Sequence, residues 1–129
     1  MLKLTYTENG FWLEHLTQTM ETWVNSRVLV ALRAAMPLTV EPSTASFLLP
    51  VQVSGLDELE ALANHQHPGT IAMDPCDAEY IEVCLSGTWV MSDDEGNEGV
   101  FVTRLNDEAE LLIYKLWQSA ESIAWVNGD

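Results

Sequence analysis

The chain predicts an α+β fold: a mainly antiparallel sheet with two hairpins, one face covered by a short helix and a longer C-terminal helix. Three observations predict it. Residues 2–16 alternate in polarity around an Asn-Gly pair. Residues 79–105 alternate again around a polar loop. Residues 106–126 repeat apolar side chains at helical spacing.

In the first hairpin, Leu2, Leu4 and Tyr6 alternate with Lys3, Thr5 and Thr7. Asn9-Gly10 supplies the positive φ angles of a tight turn. Phe11 to Leu16 forms the returning strand. Residues 17–35 admit two readings. Leu16, Met20, Trp23, Val24, Val28, Ala31, Leu32 and Ala35 recur at three- and four-residue steps, as on a helix. Val24, Val28, Val30 and Leu32 also share one face of a strand, and residues 27–32 are rich in β-branched side chains. The expectation is a short helix or turn near Thr17–Thr22, then a strand from about Trp23 to Arg33.

Met36-Pro37 ends that segment. Pro42 and Pro50 each remove a ladder donor, so Leu38–Glu41 and Ala45–Leu49 read as two short strands or extended edge segments. Ser54 to Ala63 reads as a helix. Ser54 is the expected cap, acidic residues fill the first turn, and Leu56, Leu59, Leu62 and Ala63 form the apolar stripe. Pro68-Gly69 marks the following turn. Thr70–Met73 reads as a short strand. Glu79–Met91 reads as a long one, with Ile81, Val83, Leu85 and Val90 assigned to one face. Val100–Leu105 pairs back across the loop at residues 92–99. Asn106-Asp107 caps the terminal helix, and Asn127-Gly128 is its expected stop. Trp12, Trp89, Trp117 and Trp125 are expected to supply large core or interface area.

The chain has 129 residues, 47% of them apolar, which fits one globular domain spanning 1–129. Twenty acidic and five basic side chains give a net charge of −15. No Lys or Arg lies between Ala34 and Thr103. That balance disfavours nucleic acid and anionic membrane surfaces, which require basic patches. It allows a basic protein partner, and it equally serves solubility. The N-terminus shows no signal-peptide pattern, and no run reaches the roughly 20 apolar residues of a membrane span. A cytoplasmic location is expected, with Cys76 and Cys84 as reduced thiols.

Candidate sites are few. His65, His67, Asp74 and Cys76 lie within twelve residues and are all possible ligands for a borderline metal. Their spacing matches no standard structural zinc motif, and the alternative is an exposed polar turn. The loop Asp93-Asp94-Glu95-Gly96-Asn97-Glu98 offers oxygen ligands for calcium but lacks the EF-hand pattern, and reads equally as a solvated hairpin tip or an acidic docking patch. The hydroxyl-rich run Pro42–Pro50 serves either a small ligand or its own backbone. His15 and Cys84 read as structural. Acidic neighbours disfavour the thiolate of Cys76. No nucleophile elbow, phosphate loop or Cys-x-x-Cys is present, so no catalytic residue and no cofactor is expected.

The terminal helix carries Leu111, Tyr114 and Trp125 off its main stripe, and these are the candidate interface residues. A homodimer is the expected assembly, since closed twofold dimers are the commonest oligomer. The leading expectation is a noncatalytic protein-interaction or assembly domain. The alternative is a small-molecule-binding domain with a pocket between the sheet and the C-terminal helix.

Four stretches carry a family resemblance: Glu41–Pro50, Cys76-Asp77-Ala78-Glu79-Tyr80, Gly87-Thr88-Trp89 and Gly99-Val100-Phe101-Val102-Thr103. Together they resemble a family of short, uncharacterised cyanobacterial proteins, over nearly the whole chain. The resemblance implies a bacterial cytoplasmic setting and brings no catalytic motif.

Overall fold

The computed structural model describes residues 1–7, 10–66, 68–92 and 99–126, and the side chains among them except those of residue 92 and residues 122–126. Six strands and three helices follow in the order β1 (Leu2–Thr7), β2 (Gly10–His15), α1 (Met20–Arg33), β3 (Leu38–Pro50), α2 (Leu56–His65), β4 (Ile71–Pro75), β5 (Tyr80–Ser92), β6 (Gly99–Thr103) and α3 (Asp107–Val126). The strands hydrogen-bond in the order β2-β1-β6-β5-β3, and β4 also pairs with β5. The β1–β2, β1–β6, β4–β5 and β5–β6 pairs are antiparallel. The class is α+β. The chain forms two compact units, one of Met1–Thr44 with Gly87–Arg104, the other of Ala45–Ser86 with Leu105–Asp129.

In the first unit the alternation of β1 sets the pattern. Leu4 pairs with Leu13 on one side and with Phe101 on the other, and all three are buried. Lys3, pointing the opposite way, lies 3.5 Å from Glu14. The hairpin gains one more rung from Met1, whose ammonium donates to the Leu16 carbonyl while Leu16 N–H donates back to the Met1 carbonyl. Gly10 has a φ of 131° but opens β2 as the partner of Thr7, so the two residues between the strands are 8 and 9, outside the described residues. Tyr6 stacks on Phe11 and meets Trp89, which meets Phe101 edge-on, extending the Leu4 side as an aromatic cluster. The Trp89 indole N–H donates to the Thr44 carbonyl.

The other side of the sheet is covered by α1, where a strand over Trp23–Arg33 was expected. Trp23 is buried with Met1, Val90 and Val102, and Met20, Val24, Leu16 and Leu38 pack against them. Only a helix brings Met20, Trp23 and Val24 to one side together. Thr19 caps it, its hydroxyl accepting from Thr22 N–H. The exit is a Schellman turn: Ala35 N–H donates to Leu32 and Met36 N–H to Ala31. Ala35 has φ 53°, the left-handed region that favours glycine. Pro37 then prevents continuation.

Trp12, expected to supply core or interface area, is 60% exposed and lies outside the core: it shares its side of β2 with Glu14, at the outer end of the strand order. Two further expectations are corrected. Val90 does not share a face with Val83 and Leu85. It lies two residues from Thr88 on the Val102 side, where α1 covers it. The two short strands around Pro42 are one strand, β3. It ends the strand order, the edge position at which a strand tolerates proline.

In the second unit, Ala45, Phe47 and Leu49 of β3 are buried and alternate with exposed Ser46 and Leu48. Val83 and Leu85 of β5 and Ile71 of β4 are buried too, with Ile71 paired to Leu85. Asp77 orders the β4–β5 turn by accepting from Glu79 and Tyr80 N–H at 2.7 and 2.9 Å. Leu59, Leu62 and Ala63 form the buried stripe of α2. Its cap is Gly55, not Ser54, and no side-chain bond is made there. Gly55 has φ 107°, a conformation that favours glycine, and a Cβ on it would press on the Leu116 side chain of α3 at 3.1 Å. At the start of α3, Asn106 caps as expected, accepting from Ala109 N–H at 2.8 Å. Buried Glu110 reaches back to accept from Leu105 N–H at 2.8 Å, a charge-assisted variant of a capping box. Ala109, Ile113, Leu116 and Trp117 form the buried side.

Two substitutions test this account. Ala35→Gly relieves the left-handed strain and is expected to raise stability by about 1 kcal/mol. Urea unfolding followed by tryptophan fluorescence reads it, and an unchanged or lowered midpoint contradicts the turn geometry. Gly87→Ala brings a Cβ within 2.4 Å of the Val102 carbonyl oxygen, a backbone atom that cannot swing aside. It is expected to cost about 3 kcal/mol in the same measurement.

Candidate interaction surface

Helix α1 carries three exposed apolar side chains, among others at Trp12, Val40, Leu48 and Val51 on the strands and the turn after β3. Leu29, Val30 and Leu32 are 53%, 57% and 72% exposed, and Met36 follows at the helix exit. With the Trp23 side turned inward, Leu29 and Leu32 share the outward face with Thr22, Asn25 and Arg33, all exposed. This surface was not among the expected sites. Its signal was present in the three-residue spacing of Leu29 and Leu32, and the strand reading of the segment hid it.

The expected interface residues sit on α3. Leu111 is 43% exposed. Tyr114 is half-buried and stacks on Trp117 with ring centroids 6.2 Å apart. The Trp125 side chain lies outside the described residues.

Charge separates the two helices. Helix α1 contains Glu21, Arg27 and Arg33, a net +1. Helix α3 contains Asp107, Glu108, Glu110 and Glu121 against Lys115, a net −3. Helix α2 contains Asp57, Glu58 and Glu60 and no Lys or Arg. The Arg27 guanidinium lies over the Trp23 ring, 5.0 Å from its centroid, and Lys3 lies 5.8 Å from the same ring. Glu21 approaches Arg104 at 4.0 Å, both about two-thirds exposed, so the pair is weak.

The candidate metal ligands are described in part. His65 ends α2 and is exposed, Cys76 is an exposed free thiol after β4, and His67 lies outside the described residues. Among the described residues no group of three or more His, Cys, Asp or Glu is placed to hold a metal ion. The acidic loop at residues 93–98 is likewise outside them. His15 is half-buried and faces Leu2 across the hairpin. Cys84 is a half-buried free thiol. The hydroxyl-rich run forms part of β3, with Ser43 donating to Thr44.

Two open grooves lie in the second unit. One, of about 340 Å³, runs along the start of α2 past Ser54, Gly55 and Glu60 to Met73 of β4 and Ile81 of β5. The other, of about 350 Å³, lies between α2 and α3, walled by Leu62 and Leu112 with Glu58, His65 and Glu108 at its rim. Asn106 donates to Gln66 beside it. The latter groove joins two helices, whereas the expected pocket lay between the sheet and the terminal helix. Among the described residues no helix is long and apolar enough to cross a membrane.

No curated protein matches the chain, and no solved structure does. A sequence model of one family matches residues 1–121, nearly the full length. By that match the chain belongs to the Alr0857-like family.

Proposed function

We propose that this chain is a noncatalytic, cytoplasmic protein-interaction or assembly domain that acts as a homodimer, in a cyanobacterial setting. The observation that carries the reading is the exposed pair Leu29 and Leu32 on the outward face of a helix whose opposite side is already packed. Fully burying a leucine contributes roughly 1.5–3 kcal/mol, so a twofold contact that covers Leu29 and Leu32 on both copies favours association. A grouped apolar surface of this kind marks a contact site more often than a scatter of single residues does. Leu111 and Tyr114 lie on the acidic helix α3, which suits them less to the pairing of two like-charged copies. A basic protein partner would instead meet the acidic helices α2 and α3.

Light scattering coupled to size exclusion tests the reading. The expected mass is twice the 14.4 kDa of one chain at tens of micromolar protein. A single-chain mass up to millimolar concentration overturns it.

A second reading, small-molecule binding, draws on the groove between α2 and α3, whose volume lies at the lower end for ligand sites. Fragment titrations followed by amide shifts test it. Saturable shifts centred on Ala61, Leu62 and Leu112 are expected, and their absence removes this reading.

A further inference from the structure

We propose that two copies of this chain pair through α1 in antiparallel fashion about a twofold axis close to Leu29, with Arg33 of each copy reaching Glu21 of the other. The inference rests on the homodimer reading and specifies its surface.

Three observations carry it. The first is charge. Two molecules that each carry −15 repel, and the contact between them must lie where the local charge does not add to that repulsion. Helix α1, at net +1, meets that condition; α2 and α3, each at −3, do not. The second is polarity along the helix. Glu21 stands in the first turn and Arg33 in the last. An isologous contact places each residue of one copy against its counterpart's neighbourhood in the other. Antiparallel pairing therefore brings the acidic end of each α1 to the basic end of its partner, and it also opposes the two helix dipoles favourably.

The third observation is where the apolar side chains fall between those ends. Glu21 lies eight residues before Leu29, about 12 Å along the axis, and Arg33 four residues after, about 6 Å. With the axis near Leu29, that side chain meets its own copy at the centre. Leu32 then covers Thr22 and Asn25 of the second copy. The remaining offset of about 6 Å between Arg33 and the opposing Glu21 is within the combined reach of an Arg and a Glu side chain. Glu21 is available because its contact with Arg104 in its own chain is exposed and long. The apolar centre sets the strength of the contact and the charged ends set its direction, since exposed ion pairs contribute less than buried leucines.

Charge reversal tests the geometry by sedimentation equilibrium on the full chain. Glu21→Arg and Arg33→Glu are each expected to weaken association about tenfold, because each places like charges at both ends of the pair. The double variant Glu21→Arg, Arg33→Glu restores the opposed charges and is expected to return to within about threefold of the original constant. Leu29→Glu is expected to weaken association at least about a hundredfold, since two copies of Leu29 lose their burial. Circular dichroism confirms in each case that the helix content is kept; these positions are exposed and off the core. If the unmodified chain is monomeric, the homodimer reading fails and this inference with it. If the chain dimerises but Leu29→Glu leaves the constant unchanged, or the double variant is as weak as the sum of the singles, this pairing is overturned and the homodimer reading stands.

Discussion

Strand β6 is buried on both sides, and the first unit depends on that. Phe101 faces the Leu4 side and Val102 faces Trp23 and Val90, each with no exposed surface. The strand is hydrogen-bonded along both edges, to β1 and to β5. Five residues thus connect the hairpin, the long strand and the helix-covered layer. The close approach at Gly87, where the Val102 carbonyl leaves no room for a Cβ, follows from the same crowding. Once Val102 and Val90 require a cover, a helix carrying Met20, Trp23 and Val24 supplies it. The opposite side of that helix is left facing outward with Leu29 and Leu32 on it.

Local features were legible wherever a two-residue or capping signal acted alone. The β1–β2 hairpin followed from the alternation of Leu2, Leu4 and Tyr6, and the start of α3 from Asn106. Trp12 shares parity with Glu14 and not with Leu13, so its exposure was readable from the alternation once residue size was set aside. Helix α1 was not legible in the same way. Val28, Val30 and Leu32 carry strand propensity, and the helix is decided by contacts of Trp23 with Met1, Val90 and Val102, far away in sequence. The cap of α2 failed for a similar reason. Ser54 is the better cap by residue type, but the chain enters the helix through Gly55 at φ 107°, a conformation that favours glycine.

With residues 23–33 as a strand, α3 is the helix whose sequence carries apolar residues off its stripe. The structure keeps Leu111 exposed, but Tyr114 spends part of its surface on Trp117. Acidic residues around α3 also make it a poor place for two like molecules to meet. The grouping of three cations, Lys3, Arg27 and Arg33, near Trp23 and along α1 is legible in the sequence only as a count, and becomes a surface property once the helix is known.

Hydrogen–deuterium exchange at low and high protein concentration measures the central claim most directly. The account predicts that amides of residues 20–33 exchange more slowly in the concentrated sample, while those of α2 and α3 keep their rates. Slowing confined to residues 107–121, or no concentration dependence in α1 when light scattering records a dimer, contradicts it.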